Sequence, residues 1–470
     1  MRNLSPRSKL NHYYHEGCCH GQLDAIYGQI ARLEQQNGYK VDLLLICGDF
    51  QAIRNSRDLQ CMAVPNKYKE LGEFHKYYAG EKIAPILTIV IGGNHEASNY
   101  MWELYHGGWL APNIYFLGHA GCVQVNGIRI AGASGIFKGH DFRTGHYERV
   151  PYDQSAMRSI YHTREYDIRR LSLANIMLSH DWPQSIEHHG DVGGLIRRKR
   201  FFEADIRSGK LGSPPLIGLL QAIQPKWWFS AHLHVRFEAT YAHAAPVTAG
   251  NQLPSGILPS AVHNPDEIAI DEEDDEAGPS TSSAPAPEII NPEEILLDDE
   301  EDFEPVPKPV IPLPSVETKF LALDKCLPRR EFLEVIEIDT PSSTKPSGTE
   351  QSATDKVIFT YDPEWLAINR AFHPLFSTTW KQPTFPPEDE ARALVAKELE
   401  WVQANLQKQE GALIPVGNTQ TFVVTAPGPC AETENPPLKF QQPPHYPNPQ
   451  TVAFCSMLGI EDKINPTSPA

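Results

Sequence analysis

The 470-residue sequence has little of three things: regularly spaced cysteine, long apolar runs and an excess of basic charge. Its eight cysteines follow no framework spacing, which argues against a disulfide-stapled secreted domain and favours a reducing compartment. No apolar run is long enough to cross a bilayer, and no signal peptide is evident. We therefore expect a soluble intracellular protein with no membrane partner.

The net charge of −18 argues at first against a nucleic-acid-binding protein, because such proteins are usually basic. Much of the acid, however, lies between residues 266 and 304, in a stretch that is also rich in Pro, Ser and Ala. Such a composition cannot bury enough apolar surface to offset the entropy lost on ordering. We predict a disordered acidic insert over residues 251–317, and the charge objection applies to it alone.

Five short segments contain side chains of the kinds that bind metal ions. They are residues 18–20, 48–49, 93–96, 179–181 and 231–234. A centre that hydrolyses phosphodiesters with two cations needs about seven donors, one of them a carboxylate shared between the cations. These segments supply thiol, imidazole, carboxylate and amide groups, which together make up such a donor set.

Each segment taken alone has a simpler interpretation. A Gly-Asp pair is usually a turn, and a single His at the end of a strand is more often hydrogen-bonded in the core. Most of the segments, however, follow apolar runs typical of buried strands, at residues 41–47, 86–91, 176–178 and 227–229. His232 and His234 also share one face of an extended chain. Because sites collect at the carboxyl ends of strands in α/β folds, the five segments together predict one site.

The order Cys-x-His, Gly-Asp, Gly-Asn-His-Glu, His and His-x-His resembles the calcineurin-like metallophosphoesterases, whose first motif is usually Asp-x-His. Here Cys18 stands in the place of that aspartate, and residues 17–21 as a whole are similar to the lariat debranching enzyme family. Further stretches agree at residues 48–51, 134–138, 158–161, 179–183 and 320–328. The resemblance covers residues 17 to about 250 and resumes at about 318. It implies an α/β (α+β) fold: a sandwich of two mixed β-sheets flanked by helices, with a small, mainly helical C-terminal domain.

The resemblance also implies a two-metal phosphodiesterase that cuts the 2′-5′ bond at the branch point of excised intron lariat RNA during mRNA processing. The side chains that would hold the first metal are Cys18, His20 and His234, those for the second are Asn94, His180 and His232, and Asp49 would bridge the two. A thiolate softens the first site, which favours iron(II) or zinc, and the family is described with iron, zinc or manganese. A water acidified between the metals would attack phosphorus, and His95 would protonate or stabilise the leaving oxygen.

Three residues beside the ligands carry their own alternatives. Cys19 follows Cys18 on an extended segment and should point the opposite way, into packing. Glu96 and Asp181 could accept hydrogen bonds from ligand ring N–H groups, with simple solvent exposure as the alternative.

Substrate choice must come from outside the metal cluster, because the same centre serves several substrate classes on this fold. The stretch from residue 134 to residue 161 alternates cations with aromatic rings, which can pair with phosphates and stack on bases of single-stranded or branched RNA. In the family it corresponds to the lariat recognition loop; a solvated loop with incidental aromatics is the alternative. The RNA-binding candidates are Lys138, His140, Phe142, Arg143, His146, Tyr147, Arg158 and Tyr161.

We expect residues 1–250 and 318–339 to form one discontinuous catalytic domain, followed by a linker over residues 340–356. Helical spacing in residues 362–371 and 387–406 resembles the family's C-terminal domain, which we place at 357–410. The Pro-rich residues 411–470 should be mostly disordered. Residues 197–200, reading RRKR, could face RNA, direct nuclear import or only end a charged helix. We expect a nuclear protein, because lariats are made in the nucleus.

One region departs from the family pattern. A short apolar strand should precede Gly17, yet residues 11–16 read Asn-His-Tyr-Tyr-His-Glu, a poor candidate for a central buried strand. Either this terminus comes from a wrongly assigned exon, which we favour, or the strand is distorted and the first metal is held less firmly.

Two other functions remain open at this point. The chain could be a metallophosphoesterase for small nucleotides or phosphoproteins, or a non-catalytic scaffold that recruits splicing factors through its acidic segment. Retention of every ligand type argues against a scaffold, because a scaffold has no physical need for those ligands.

Overall fold

The apolar runs that precede the ligand segments form strands, and the strands assemble into two sheets. The computed structural model describes residues 10–243, 316–339, 357–407 and 412–465. The strands are β1 (Leu10–Glu16), β2 (Leu43–Ile46), β3 (Leu87–Val90), β4 (Gly108–Ala111), β5 (Ile114–Phe116), β6 (Ala120–Val125), β7 (Ile128–Ala133), β8 (Ile176–Ser179), β9 (Trp227–Ser230), β10 (Phe237–Ala242), β11 (Glu317–Ala322), β12 (Leu333–Asp339) and β13 (Phe359–Tyr361). The helices are α1 (Leu23–Asn37), α2 (Phe74–Tyr78), α3 (Ser98–Glu103), α4 (Gln154–Ser159), α5 (Glu165–Arg169), α6 (Val192–Arg198), α7 (Glu203–Ser208), α8 (Pro214–Ile223), α9 (Pro363–Phe372), α10 (Glu388–Val402) and α11 (Pro449–Leu458).

Both sheets are mixed. The first has six strands in the order β12-β1-β2-β3-β5-β4, and the second has seven in the order β10-β11-β9-β8-β7-β6-β13. β1, β2, β3 and β5 run parallel in the first sheet, and β7, β8, β9 and β11 run parallel in the second. Antiparallel strands lie at the edges. The expected sandwich of two mixed sheets with helices is confirmed, and the carboxyl ends of the parallel strands carry the ligand loops.

The main core lies between the sheets. Because successive side chains of a strand point to opposite faces, alternate residues lie either in this core or in the layer between a sheet and its helices. Leu43 and Leu45 of β2 join the cluster that links the sheets, whereas Leu44 and Ile46 join a second cluster with α1, α2 and α3. The same alternation continues after β1. Cys18 belongs to the cluster between the sheets, and Cys19 belongs to the outer one. The prediction that Cys19 is a buried packing residue is confirmed.

β1 corrects an expectation about the chain before Gly17. Residues 10–16 pair in full register with β12 on one side, and Tyr13 to Glu16 pair with β2 on the other. Residues 11–16 thus form a regular interior strand, so the view that they suit one poorly is wrong, as is the alternative of a distorted strand; the favoured hypothesis of a wrongly assigned exon stays a prediction. Hydrogen bonding from two neighbours and the burial of Tyr14 outweigh the poor strand propensity, although His15 and Glu16 are buried with no hydrogen-bond partner for their side chains.

The chain after the insert is part of the sandwich. β11 lies between β10 and β9 in the second sheet, β12 borders β1 in the first, and β13 extends the second sheet beside β6. Residues 244–315 and 340–356 lie outside the described residues, and they include the linker and all of the predicted insert except residues 316–317. The insert ends earlier than predicted, because Glu317 already belongs to β11. In the described part of the chain, no helix is long and apolar enough to cross a membrane.

The Pro-rich C-terminal stretch corrects a second expectation. Residues 412–465 are not loosely ordered, because side chains of the catalytic domain bind their backbone and α11 packs in the core. The Tyr78 hydroxyl accepts from the backbone N–H of Thr425 at 2.7 Å and of Ala426 at 2.9 Å. The hydroxyl of Tyr361 donates to the Gln420 amide oxygen at 2.6 Å. Order here comes from tertiary contacts, which local composition does not reveal.

Candidate metal centre

The first group of metal-type ligands comes from three separate loops. The ligand atoms of Cys18, His20, Asp49 and His234 all lie within 4.8 Å of one another. His20 Nε2 is 3.3 Å from His234 Nε2 and 3.8 Å from Asp49 Oδ2. One thiol, two imidazoles and one carboxylate form a donor set that suits zinc or iron(II).

The second group faces the other oxygen of the same aspartate. His180 Nε2 lies 3.4 Å from Asp49 Oδ1 and 3.0 Å from Asn94 Oδ1. The His232 ring lies beside the His180 ring, with 4.9 Å between their centroids. Asp49 thus has one oxygen directed to each group, which is the arrangement that a carboxylate bridging two cations requires. All seven side chains expected as ligands are brought together.

Contacts behind the ligands fix their orientation. His180 Nδ1 lies 2.7 Å from the carbonyl oxygen of Cys47, so its N–H donates there and Nε2 is left as the ligand atom. The amide Nε2 of Gln51 lies 3.4 Å from His20 Nδ1 and limits rotation of that ring. These roles of Cys47 and Gln51 do not follow from the sequence. A backbone carbonyl leaves no signal in a sequence, and Gln51 stood only within a matched motif.

The backbone of the site is strained. Ten described non-glycine residues have a positive φ, and five of them belong to the centre, with φ between 45° and 63°. These five are His20, Asp49, Gln51, His232 and His234. The left-handed region costs an L-residue roughly 1 kcal/mol or more, and such residues collect at functional sites where the surroundings enforce them.

Two glycines in the motifs are needed for close approach. A Cβ added to Gly48 would lie 2.4 Å from His180 Nδ1, and one added to Gly93 would lie 2.2 Å from Asp49 Oδ1. Both distances are far below van der Waals contact. The Gly in Gly-Asp and the Gly before Asn94 therefore let two loops and an imidazole pack around the bridging carboxylate.

Glu96 and Asp181 differ from the expectation that they orient ring N–H groups. The Glu96 carboxylate accepts from the backbone N–H groups of Phe50 at 2.7 Å, Gln51 at 2.8 Å and Gly93 at 3.0 Å. Burial, with the charge of Asp49 adding to it, raises the pKa of Glu96 to about 8. Asp181 likewise accepts from the backbone N–H of Phe137 at 3.2 Å. Both carboxyl groups accept hydrogen bonds from backbone N–H groups of neighbouring loops and so hold those loops together.

Burial keeps the His20 and His232 imidazoles in the neutral form that binds metal. It lowers the pKa of His20 to about 4 and that of His232 to about 3, so both rings are neutral near pH 7. Burial raises the pKa of the Cys18 thiol, and the charge of Asp49 adds to the effect. That thiol must therefore lose its proton as a cation binds. For Asp49, burial acts to raise the pKa, but neighbouring imidazoles outweigh it and hold the pKa below its usual range.

His95 stands beside this donor set. Its Nδ1 lies 3.5 Å from Asp49 Oδ2, and its backbone N–H donates to Asp49 Oδ1 at 2.9 Å. The His95 side chain is 24% exposed, whereas the His180 side chain is fully buried. His95 therefore lies at the solvent side of the centre, where a substrate can reach it.

The segment at residues 137–149, named here the recognition loop, begins at the metal centre. The Phe137 backbone binds Asp181, next to His180, and the charge of Lys138 contributes to lowering the pKa of His232. Six RNA-binding candidates have accessible side chains, in part or largely exposed. They are Lys138, His140, Phe142, Arg143, Tyr147 and Arg158.

Two other RNA-binding candidates lie in the core. His146 is 1% exposed, and its Nε2 lies 3.0 Å from the buried Asp167 Oδ2, among the rings of Tyr105 and Phe376. Tyr161 is buried in the same cluster as Phe376. Direct contact of His146 or Tyr161 with RNA was therefore the wrong expectation. Both residues alternate with cations in the sequence, but that pattern does not reveal which side chains are buried.

Comparison with known proteins agrees with the geometry. The calcineurin-like phosphoesterase family model matches residues 12–236, and the model of the lariat debranching enzyme C-terminal domain matches residues 315–463. The chain is 43% identical to a lariat debranching enzyme of Drosophila pseudoobscura pseudoobscura, over 96% of this chain and 77% of that one. It is 41% identical to the Schizosaccharomyces pombe enzyme, over 97% of both chains, and 40% identical to the human enzyme, over 95% of this chain and 68% of that one. The chain belongs to the lariat debranching enzyme family, on a calcineurin-like phosphoesterase fold.

Proposed function

We propose that this protein hydrolyses the 2′-5′ phosphodiester bond at the branch point of intron lariat RNA and so linearises the intron for turnover. The observation that carries the proposal is Asp49, whose two oxygens face two ligand groups, one of which includes the Cys18 thiol. The thiol stands where the wider superfamily has an aspartate, and the relatives reported above are named lariat debranching enzymes.

The donor set fits two divalent cations, and we propose iron(II), zinc or manganese as their identity. Cys18, His20 and His234 would hold the softer site, Asn94, His180 and His232 the other, and Asp49 would join them. Bound cations acidify a water molecule and neutralise charge on the phosphoryl oxygens. The protein supplies the fixed geometry, since the strained loops and the neutral imidazoles hold their positions before substrate arrives.

His95 is the proposed acid for the leaving group. The departing 2′-oxygen must gain a proton or be stabilised as its bond to phosphorus breaks. The His95 ring is partly exposed, and its Nδ1 faces the carboxylate of Asp49. The opposite edge of the ring is therefore left for the substrate. The remaining RNA would lie along the recognition loop, where Lys138 and Arg143 offer positive charge near phosphates.

The test is turnover by protein reconstituted with each candidate metal. We expect cleavage of a synthetic branched RNA at its 2′-5′ linkage, with no cleavage of a matched linear RNA that has only 3′-5′ bonds. Cyclic nucleotides, phosphopeptides and aryl phosphates are the comparison substrates. Faster turnover of any of these than of branched RNA would favour the small-nucleotide or phosphoprotein alternative. Absence of turnover on every substrate would favour the scaffold.

We also propose a nuclear location and contact with splicing factors. The site of lariat production, the nucleus, supports the first. The exposed Arg197 and Arg198 in the last turn of α6, with exposed Arg200 two residues beyond it, offer a basic import signal. A fluorescent fusion in which residues 197–200 are replaced by alanine should move to the cytoplasm. Unchanged nuclear accumulation would leave these residues as a charged helix end. For splicing factors, deletion of residues 251–315, which end before β11, should reduce co-purification without reducing turnover.

A further inference from the structure

The C-terminal region is joined to the recognition loop by backbone hydrogen bonds. The Gly145 N–H donates to the Trp380 carbonyl oxygen at 3.1 Å, and the His146 N–H donates to the Ser377 carbonyl oxygen at 2.9 Å. Thr144 also forms an antiparallel bridge to residue 381. The loop and residues 377–381 therefore form one continuous surface, although more than two hundred residues separate them in sequence.

Trp380 is exposed on this surface. Its exposed fraction is 59%, and it is the one tryptophan among the described residues that is largely open to solvent. Tryptophan is usually well buried, because its large ring contributes much apolar area. The Tyr147 ring lies 5.2 Å from it, centroid to centroid, at an angle of 59°. An exposed ring beside a partly exposed one forms the kind of platform on which nucleic-acid bases stack.

The charges around this platform are basic in a chain whose net charge is −18. Arg143, Arg149 and Lys381 are exposed. Arg149 donates to the backbone carbonyls of His146 and Thr378, and the partly exposed Glu165 lies 3.9 Å from Arg143 Nε, a long contact that leaves the Arg143 guanidinium open to a phosphate. The two acidic side chains of the recognition loop, Asp141 and Glu148, are buried, and each lies 2.6 Å from a buried histidine or arginine nitrogen. The buried acids are thus paired with buried basic groups, and the basic side chains named above remain on the surface. A polyanion with stacking bases fits this surface better than an apolar peptide does.

We propose that Trp380 is a substrate-binding residue: a base of the RNA arm that flanks the branch nucleotide stacks on Trp380, and Arg143 and Lys381 pair with phosphates of that arm. The inference rests on the proposed function. The path is continuous, because the recognition loop begins at Phe137, bound to Asp181 beside the metal centre, and ends against the Trp380 segment. The C-terminal region thereby acts in substrate choice and not only in packing.

The test compares the full-length protein with Trp380→Ala and Trp380→Phe on three kinds of substrate. They are a branched RNA with long arms, the same branch with either arm cut to one nucleotide, and bis(4-nitrophenyl) phosphate. Stacking contributes about 1–3 kcal/mol per base, so Trp380→Ala should raise KM for the long-armed RNA roughly 5- to 160-fold. The Phe variant should keep most of the affinity. Cutting one particular arm should abolish the difference, and turnover of the aryl diester should not change.

A matched control is Phe440→Ala, since Phe440 is 66% exposed elsewhere in the C-terminal region. It should leave every KM unchanged. An unchanged KM for the long-armed RNA in Trp380→Ala, or an equal loss on the aryl diester, would overturn the inference. Equilibrium binding of the long-armed RNA to metal-free protein provides a second measurement, which should show the same ratio of affinities. Absence of branched-RNA cleavage by the unmodified protein would instead contradict the proposed function, and the binding ratio would still decide the role of Trp380.

Discussion

The metal centre and the recognition loop are built in opposite ways. The centre takes buried side chains from loops at the ends of parallel strands in two sheets, and the backbone is strained to aim them. The loop presents exposed cations and rings, and it is held by a C-terminal segment distant in sequence. Buried ligands act on any phosphodiester that reaches them, whereas exposed groups can act only on a substrate long enough to touch them. Changes in the two regions should therefore differ in how they depend on substrate size.

The largest effect should follow Asp49→Asn. The variant removes the negative charge directed to both ligand groups, so cations bind more weakly and several kcal/mol of transition-state stabilisation is lost. We expect turnover to fall by about 10³-fold or more, equally for branched RNA and for bis(4-nitrophenyl) phosphate. Mass spectrometry measures the metal content, and kcat on both substrates measures the loss of turnover. Asp389→Asn, at an exposed position on α10, is the control. Two bound metals with full turnover would remove Asp49 from the mechanism.

His95→Ala should separate chemistry from metal binding. Loss of a positioned acid typically costs about 10²–10⁴-fold in rate, and metal content should be retained. The aryl diester, whose leaving group departs without a proton, should lose much less than branched RNA. His188→Ala, half-exposed on the surface, is the control. An equal loss on the two substrates would mean that His95 holds the centre together and does not serve the leaving oxygen.

Cys18→Asp should change metal preference while the rest of the centre stays in place. A carboxylate is a harder ligand than a thiolate, so zinc and iron(II) should bind more weakly relative to manganese. Competition between the metals during reconstitution measures the ratio. Cys19→Ala is the matched control, because the neighbouring thiol packs in the outer cluster and should leave the ratio unchanged. An unchanged ratio in Cys18→Asp would show that the thiol is not a ligand.

Much of the centre could be predicted from sequence, for a physical reason. Parallel strands align their carboxyl ends, so Asp49 after β2 and Asn94 after β3 must lie at the same edge of the first sheet. Packing of the two sheets then brings His180, after β8 of the second sheet, against them. The period of two along an extended chain separates Cys18 from Cys19 in the same way. In both cases the decisive information is local to the strand.

Other features were predicted wrongly or not at all, because distant contacts decide them. Residues 412–465 are ordered by contacts with side chains such as Tyr78 in the catalytic domain. The composition of the Pro-rich stretch does not predict those contacts. His146 looked like its exposed neighbours, yet Asp167 and a cluster of rings draw it inward. The participation of Trp380 depends on which loop its segment meets. The sequence pattern within a segment predicts its secondary structure but not which other segment it will contact.

On the side of the recognition loop, Lys138→Ala combined with Arg143→Ala should weaken RNA binding moderately. Each cation that pairs with a phosphate of single-stranded RNA adds about 0.7 to the steepness of log affinity against log salt, so the double variant should be shallower by about 1.4. KM for branched RNA should rise more at low salt than at high salt, and the aryl diester should be unaffected. Arg207→Ala, 76% exposed on α7, is the control. A slope equal to that of the unmodified protein would show that these cations do not meet phosphates.

The smallest effect tests the strand beneath the metal centre. His15 in β1 is buried against Phe229, with ring centroids 4.5 Å apart and no hydrogen-bond partner for either nitrogen, and burial lowers its pKa to about 3. Between pH 6.5 and that value the unfolded chain binds a proton that the folded chain does not, so stability falls on acidification. His15→Phe removes this effect and should weaken the loss of stability between pH 7 and pH 5 by about 2 kcal/mol. Denaturant unfolding at both pH values measures it, with the half-exposed His188→Phe as control. Equal losses in the variant and the unmodified protein would show that β1 opens to solvent and does not hold Cys18 rigidly.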